Sequence, residues 1–247
     1  WWWSMPRPTR PPRPHTMQAQ ATAGAAPQGA AVFDLDGTLI DAAADIAAAL
    51  APALAARGLA PLMLAEATSL LGDGLRVFAR RAFVLRAAEI TRTEENCFVE
   101  RYLRTPIDQT RLYPGVEATL HRLRGEGWKL AVCTNKVEAA AVDILAQLGI
   151  LPLFEAVCGG DTVPACKPAP VHLAETIRRA GLRAVPAVMI GDNPADVLAA
   201  AACGIPAVFA QWGYGRLGAL QGTCAVAARF EDLPALLRAA RAPRPAA

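Results

Sequence analysis

From residue 112 onward, short apolar runs alternate with segments whose apolar residues recur every three or four positions. In "VEATLHRLRGEG", Val116, Leu120 and Leu123 share one helical face, Gly125 and Gly127 stop the helix, and "WKLAVCT" then reads as a short buried strand. The alternation repeats: "VEAAAVDILAQLG" precedes "FEAVCGG", "PVHLAETIRRAG" precedes "PAVMIGD", "PADVLAAAACG" precedes "IPAVFA", and "CAVAA" precedes "LPALLRAAR". Residues 30–40, "AAVFDLDGTLI", open with a further apolar strand. Strands that are apolar throughout have both faces covered, and alternation with amphipathic helices is the signature of a parallel sheet. The pattern predicts an α/β fold, a doubly wound parallel sheet.

Between the first strand and this alternation the pattern is helical. Asp41 is placed to cap a helix running to about Arg57 and ending at Gly58, and "LAEATSLL", "GLRVFARRAFVLRAA" and "TEENCFVERYLR" give three further helices, the last capped by Thr91 or Thr93. No strand is expected between residues 41 and 105. The predicted organisation is a core made of residues 30–40 and 112–247, with residues 41–111 inserted after the first strand as a helical cap. Residues 1–29 are rich in Pro, Gln, Ala and Gly and read as a disordered tail, in which Met5 and Met17 are candidate starts. One serine and many prolines argue against a transit peptide.

Composition narrows the classes of function. The chain has 247 residues, 53% of them apolar, enough for one sizeable α/β domain or a core with a small second domain. No apolar run approaches the roughly 18 to 20 uncharged residues of a membrane helix, so no membrane partner is expected. The formal charge of +3 comes from Arg7, Arg10 and Arg13; the remainder carries 22 basic and 22 acidic residues. A balanced fold of this kind argues against a nucleic-acid groove. The six cysteines form no C-x-x-C pair, and several sit in apolar segments, as expected for buried thiols in a reducing, cytoplasmic compartment.

In open α/β sheets ligands bind beyond the carboxyl ends of the strands, so the residues ending each apolar run are the candidates for chemistry. They are Asp34, Asp36, Gly37 and Thr38 after the first strand, Thr134 and Asn135 after another, Lys167 and Pro168 in a later loop, and Gly191 and Asp192 with Asp196 four residues on. Each alone has a plainer reading as a turn, strand-end or solvated residue. A calcium loop is excluded, because Gly37 comes too early for that pattern. An ionised carboxylate needs no base to act as a nucleophile, and residues two apart on a strand share a face, so Asp34 and Asp36 can address the two ends of one scissile bond.

These motifs, "VFDLDGTLID", "TNK", "CKPAP" and "GDNPAD", in this order and with a helical insert between the first two, resemble the haloacid dehalogenase superfamily of aspartate-nucleophile phosphatases. The resemblance covers residues 30 to about 237. "RLYPGVEATLHRLRGEGWKLAVCTNK", "GGDTVPACKPAP" and "WGYG" are further similar to bacterial phosphoglycolate phosphatases. The resemblance implies a magnesium-dependent phosphomonoester hydrolase with Asp34 as nucleophile and Asp36 as general acid and base. Mg2+ would be held by Asp34, the main-chain carbonyl of Asp36, and Asp192. Thr134, Asn135 and Lys167 would bind the phosphoryl oxygens, and Asp196 would orient a metal-bound water or Lys167. Asn193 stands where Ser or Thr is commoner.

The expected substrate and partner is a small phosphorylated metabolite, first 2-phosphoglycolate, with N-acetylmuramate 6-phosphate or another sugar phosphate as alternatives, acted on by a monomer or homodimer. A reading from another class is a phosphate-binding interaction module without catalysis. The insert is expected to close over the site as a lid, with Gly72 and Gly74 facing substrate. Arg76, Arg80 and Arg81 are candidates for binding its carboxylate, against the plainer reading that they coat a solvated helix face.

Overall fold

The computed structural model describes residues 27–105 and 107–241; the tail expected over residues 1–29, with Met5 and Met17, lies outside the described residues as far as residue 26. The chain begins with β1 (Gly29–Phe33) and β2 (Ile40–Asp41), then α1 (Ala43–Ala56), α2 (Leu64–Leu70), α3 (Leu75–Leu85), α4 (Arg92–Arg104) and β3 (Arg111–Leu112). It continues through α5 (Val116–Gly125), β4 (Trp128–Cys133), α6 (Glu138–Gln147), β5 (Ala156–Cys158), α7 (Pro170–Arg179), β6 (Ala187–Gly191), α8 (Pro194–Ala202), β7 (Ala207–Ala210), β8 (Ala225–Ala227) and α9 (Leu233–Arg241).

Six strands pair in parallel in the order β5-β4-β1-β6-β7-β8. The period of two along each strand sorts the core into two layers. Phe33, Leu130, Val132 and Ile190 face Leu120 and Leu123 of α5, Leu145 of α6 and Leu237 of α9, while Val32, Ala131, Cys133 and Met189 face Leu173 of α7 and Val197 and Ala199 of α8. Phe33 is fully buried and stacks on Phe230 with ring centroids 5.9 Å apart. Truncating it to alanine is expected to cost about 3–5 kcal/mol. The chain leaves β1 toward β4 on one side and β6 on the other, and such a reversal opens a crevice at the carboxyl ends of those strands.

Helices α1 to α4 lie between β2 and β3, which pair antiparallel through Ile40 with Leu112 and Asp41 with Arg111 and so close the neck of the insert. Ile46, Leu50, Ala67, Phe78, Phe83 and Phe98 are buried together, with Phe78 and Phe98 centroids 6.1 Å apart. At the neck, the Asp45 carboxylate accepts hydrogen bonds from the amides of Asp108, Gln109 and Thr110, at 3.0, 3.0 and 2.9 Å, and from the Thr110 hydroxyl at 2.6 Å. Burial opposes its charge, yet these bonds hold the Asp45 carboxyl below its ordinary pKa.

Three expectations are corrected or sharpened. Asp41 does not cap α1: the cap position is Ala42, because Asp41 is held in β2, where its Oδ1 accepts from the Ala43 amide at 3.2 Å and the Tyr214 hydroxyl at 2.7 Å. Of the two threonines, Thr91 caps α4: its hydroxyl accepts from the Glu94 amide at 3.3 Å while the Glu94 carboxylate accepts from the Thr91 amide at 2.8 Å. Among the cysteines Cys133 and Cys158 are buried, but Cys97 and Cys166 are exposed. No helix among the described residues is long and apolar enough to cross a membrane.

Candidate active site

The sequence folds so that β1, β4 and β6, neighbours in the sheet, end in polar residues on one rim. Asp34 follows β1, and its amide donates to the Ile190 carbonyl at 2.8 Å, so the register with β6 carries past the strand end. Asp192 follows β6, and Asp196 lies in the first turn of α8. Lys167, from the loop before α7, is 5% exposed, and its Nζ donates to Asp34 Oδ1 at 2.8 Å and Asp196 Oδ1 at 2.6 Å. Asp192 Oδ1 accepts from the Thr38 hydroxyl at 3.0 Å, and its Oδ2 accepts from the amides of Tyr214 and Gly215 at 2.8 and 3.1 Å.

This density requires glycine at two places. Gly37, at φ 88°, would carry a Cβ 2.3 Å from Asp192 Oδ2, and a Cβ on Gly191 would lie 2.1 Å from Asp196 Oδ2. The signal that Asp-Gly merely punctuates a strand is therefore incomplete: the glycine makes room for a carboxylate from another strand.

Asp34, Asp192 and Asp196 place carboxylate oxygens within 4.8 Å of one another, all three buried. Burial raises the pKa of Asp192, and the neighbouring Asp34 and Asp196 charges raise it further. Burial raises that of Asp196 as well, against the opposing effect of Lys167. Burial works against the charge on Lys167, but Asp196 and Asp34 restore it above the ordinary lysine value. Three buried carboxylates facing one ammonium leave an excess of negative charge and hard oxygen donors, and this set fits a divalent cation.

The Asp36 side chain is not part of that cluster. Both its oxygens accept from Lys136 Nζ, at 3.0 and 2.8 Å, and the ammonium sits 4.7 Å from the ring centroid of Tyr102 on α4. Burial disfavours the Lys136 charge, while Asp36, followed by Tyr102, more than restores it. Thr134 is buried, and its hydroxyl accepts from the Lys136 amide at 3.2 Å. Asn135 uses its Nδ2 to donate to the Lys167 carbonyl at 3.1 Å, tying the two loops together.

Asp34, Asp36, Thr134, Asn135 and Lys136 line a small cavity of about 30 Å³, closed from the insert by Ile46, Leu71, Gly72, Gly74 and Leu75. A wider groove of about 1070 Å³ between α2 and α8, lined in part by Leu64, Thr68, Arg81, Pro194 and Arg216, includes none of the polar residues that end β1 and β4. Those groups converge on the small cavity and not on the groove.

The arginines of α3 do not reach this cavity's lining. Arg80 and Arg76 both pair with the buried Glu95 of α4, and Arg81 pairs with Asp73 at 2.6 Å. Sequence reasoning assigned no role to Lys136, Thr38, Tyr102 or Tyr214. "TNK" and "WGYG" contain two of them and served only as family marks. The available signal for Thr38, Lys136 and Tyr214 was a position in a segment that follows a strand, whereas Tyr102, inside α4, carried none.

The description haloacid dehalogenase-like hydrolase belongs to the family model that matches residues 29–204, and the chain is a member of that family. Among its relatives, a phosphoglycolate phosphatase of Agrobacterium fabrum is 41% identical over 188 residues, covering 74% of this chain and 81% of its own. One of Cereibacter sphaeroides is 42% identical over 178 residues, covering 70% and 81%. The solved structure of a predicted phosphoglycolate phosphatase from Haemophilus somnus 129PT superposes with a TM-score of 0.75 at 28% identity, covering 87% of this chain and all of that one.

Proposed function

We propose that the protein is a magnesium-dependent phosphomonoester hydrolase that converts 2-phosphoglycolate to glycolate and phosphate through an aspartyl-phosphate on Asp34. The observation that carries the reading is the buried Lys167 bridging Asp34 and Asp196 beside Asp192, with Asp34 also lining a cavity together with Asp36 and Thr134. The names of the relatives support 2-phosphoglycolate as the substrate. A bound Mg2+, held by Asp34, Asp192 and the main-chain carbonyl of Asp36, would neutralise the meeting of carboxylate and phosphate.

The protein's own groups then divide the work. Lys167 holds Oδ1 of Asp34, and Oδ2 is assigned to attack phosphorus, forming the acyl phosphate as the ester P–O bond breaks. Asp36 gives its proton to the departing alkoxide and takes one from the water that next hydrolyses the acyl phosphate, which frees phosphate and restores the Asp34 carboxylate. The Thr134 hydroxyl, the free hydrogen of the Asn135 amide and Lys167 hydrogen-bond the phosphoryl oxygens as charge develops on them. Asp196 keeps Lys167 aimed. Residues 41–111 serve as the cap over a core of residues 30–40 and 112–247, acting on a small cytoplasmic metabolite.

The test is phosphate release from a panel of metabolite phosphates, with magnesium and with chelator, by wild type and Asp34→Asn. Selective turnover of 2-phosphoglycolate, lost with chelator and in Asp34→Asn, is the expected result. Equal rates in all three conditions would end the mechanism, and selective turnover of a sugar phosphate would replace the substrate. A fold that binds phosphate without releasing any from the panel would favour the interaction module.

A further inference from the structure

We infer that Lys136 is the positioning residue for Asp36, and that Tyr102 holds Lys136 in that task, so that the insert helps to aim the acid/base carboxylate of the core. This rests on the proposed role of Asp36 and adds to it two residues which that role did not require. Asp36 sits in a turn that the Gly37 amide closes on the Ile40 carbonyl at 2.8 Å, which fixes the backbone but leaves the direction of the carboxylate to its side-chain partners. Its side chain is 19% exposed, against 1% for that of Lys136. Its direction is set instead by the ammonium, which donates to both oxygens at 3.0 and 2.8 Å.

A lysine stem has many rotamers, and a cation held by one carboxylate alone would be a loose clamp. Burial removes most of those rotamers. The ring of Tyr102, 4.7 Å from Nζ, supplies a second attractive surface. Tyr102 belongs to α4 of the insert, whereas Lys136 follows β4 of the core. A core lysine clamped between a core carboxylate and an insert ring therefore joins the two parts at the point where the proton must be delivered. The buried Tyr102 hydroxyl faces the same ammonium, which offsets part of the rise that burial causes in its pKa, so both the ring and the oxygen can hold Lys136.

Two other roles for Lys136 make different predictions. If it bound the carboxylate of the substrate, its loss would be felt only by substrates carrying one. If it were merely structural, its loss would slow every substrate alike. A positioning role shows itself in the leaving group, because a basic alkoxide needs the acid and a weakly basic phenolate does not.

The experiment measures kcat/KM with magnesium for a series without carboxylates, running from ethyl phosphate through phenyl phosphate to 4-nitrophenyl phosphate, with 2-phosphoglycolate alongside. Wild type is compared with Asp36→Asn, Lys136→Met, Lys136→Arg, Tyr102→Phe and Tyr102→Leu, each checked for a native melting transition. Expected for Lys136→Met is a loss of about 100-fold on ethyl phosphate and under about 5-fold on 4-nitrophenyl phosphate, the pattern of Asp36→Asn in weaker form. Lys136→Arg recovers part of the ethyl phosphate rate, Tyr102→Leu shows the same tilt at about 10-fold, and Tyr102→Phe, which keeps the ring and loses the oxygen, falls between Tyr102→Leu and wild type.

A parallel loss across the series overturns the inference in favour of a structural role, and a loss confined to 2-phosphoglycolate overturns it in favour of substrate binding. If Lys136→Met does not fold, the tilt in Tyr102→Leu decides. If Asp36→Asn shows no tilt, the acid assignment falls and the inference with it. Absence of phosphate release from every member by wild type is a separate result that overturns the phosphatase reading itself.

Discussion

The rim of the sheet and the helical insert use charge in opposite ways. At the rim, Asp34, Asp192 and Asp196 are buried against one another with Lys167 as the shared cation, a crowded arrangement with net negative charge. In the insert several charges have a local counter-charge: Arg86 pairs with Glu66, Arg57 with Glu94, Arg81 with Asp73, and Arg76 and Arg80 with Glu95. The difference teaches where reaction can occur. Crowded like charges hold a site ready for a cation and an anion that the protein itself lacks, whereas satisfied pairs hold a shape. The insert's contribution to the small cavity is apolar and backbone, from Ile46, Leu71, Gly72, Gly74 and Leu75.

The sharpest way to break that contrast is at Lys167. Lys167→Met removes the cation shared by Asp34 and Asp196, and kcat/KM for 2-phosphoglycolate should fall by about 10²–10³-fold. Stability measured with chelator should fall by roughly 3–5 kcal/mol, because two buried carboxylates lose their partner. Adding magnesium should restore part of the stability without the activity. Melts and phosphate release on the same preparations read both, and an activity loss smaller than about tenfold would move the reaction away from this cluster.

How far this contrast could be read beforehand differs between the two regions. Asp34, Thr134 and Asp192 were legible because each stands just beyond the end of an apolar run, and the reversal of a doubly wound sheet brings such ends together, whereas Lys167, in the loop between β5 and α7, was legible only through the "CKPAP" motif. Lys136 was invisible as a partner of Asp36, since a lysine two residues after a strand-end threonine has many places to go. Only the packing of α4, which carries Tyr102, decides among them. The arginines of α3 looked equally available in sequence, because pairing with Glu95 depends on how α3 and α4 pack together. The β2–β3 pair is two residues long on each side, too short for any period to register, and it displaced the expected cap at Asp41.

A smaller effect sharpens the insert's side of the comparison. Glu95 is 3% exposed and accepts from Arg80 and, at 3.4 Å, from Arg76. These arginines, Arg80 first, hold the Glu95 carboxyl below its ordinary pKa. Glu95→Gln should cost about 2 kcal/mol in denaturant unfolding, the scale of charged hydrogen bonds lost. The KM for 2-phosphoglycolate should stay within about threefold, since neither arginine is assigned to the substrate. A KM change of an order of magnitude without loss of stability would restore the arginines as substrate ligands and erase the contrast.

The smallest expected effect lies at the junction of the two regions. Asp45, in the first turn of α1, gathers the amides of Asp108, Gln109 and Thr110 and so ties the outgoing chain to the returning one. Its carboxyl is held below the ordinary aspartate value of about 3.8 in the folded state, so its stabilising contribution is present above that value and is lost as pH falls through the lower folded value. Asp45→Asn keeps one acceptor oxygen and loses the charge, and should cost about 1–2 kcal/mol at pH 7. The gap between wild type and variant should close as pH falls below about 4, because protonated Asp45 is itself then a neutral acceptor. Melting both proteins from pH 7 down to pH 3 reads this directly. A gap that persists unchanged to pH 3 would mean that shape rather than charge holds the neck, and the insert would then meet the core without the electrostatic tie that sets this junction apart from the rim.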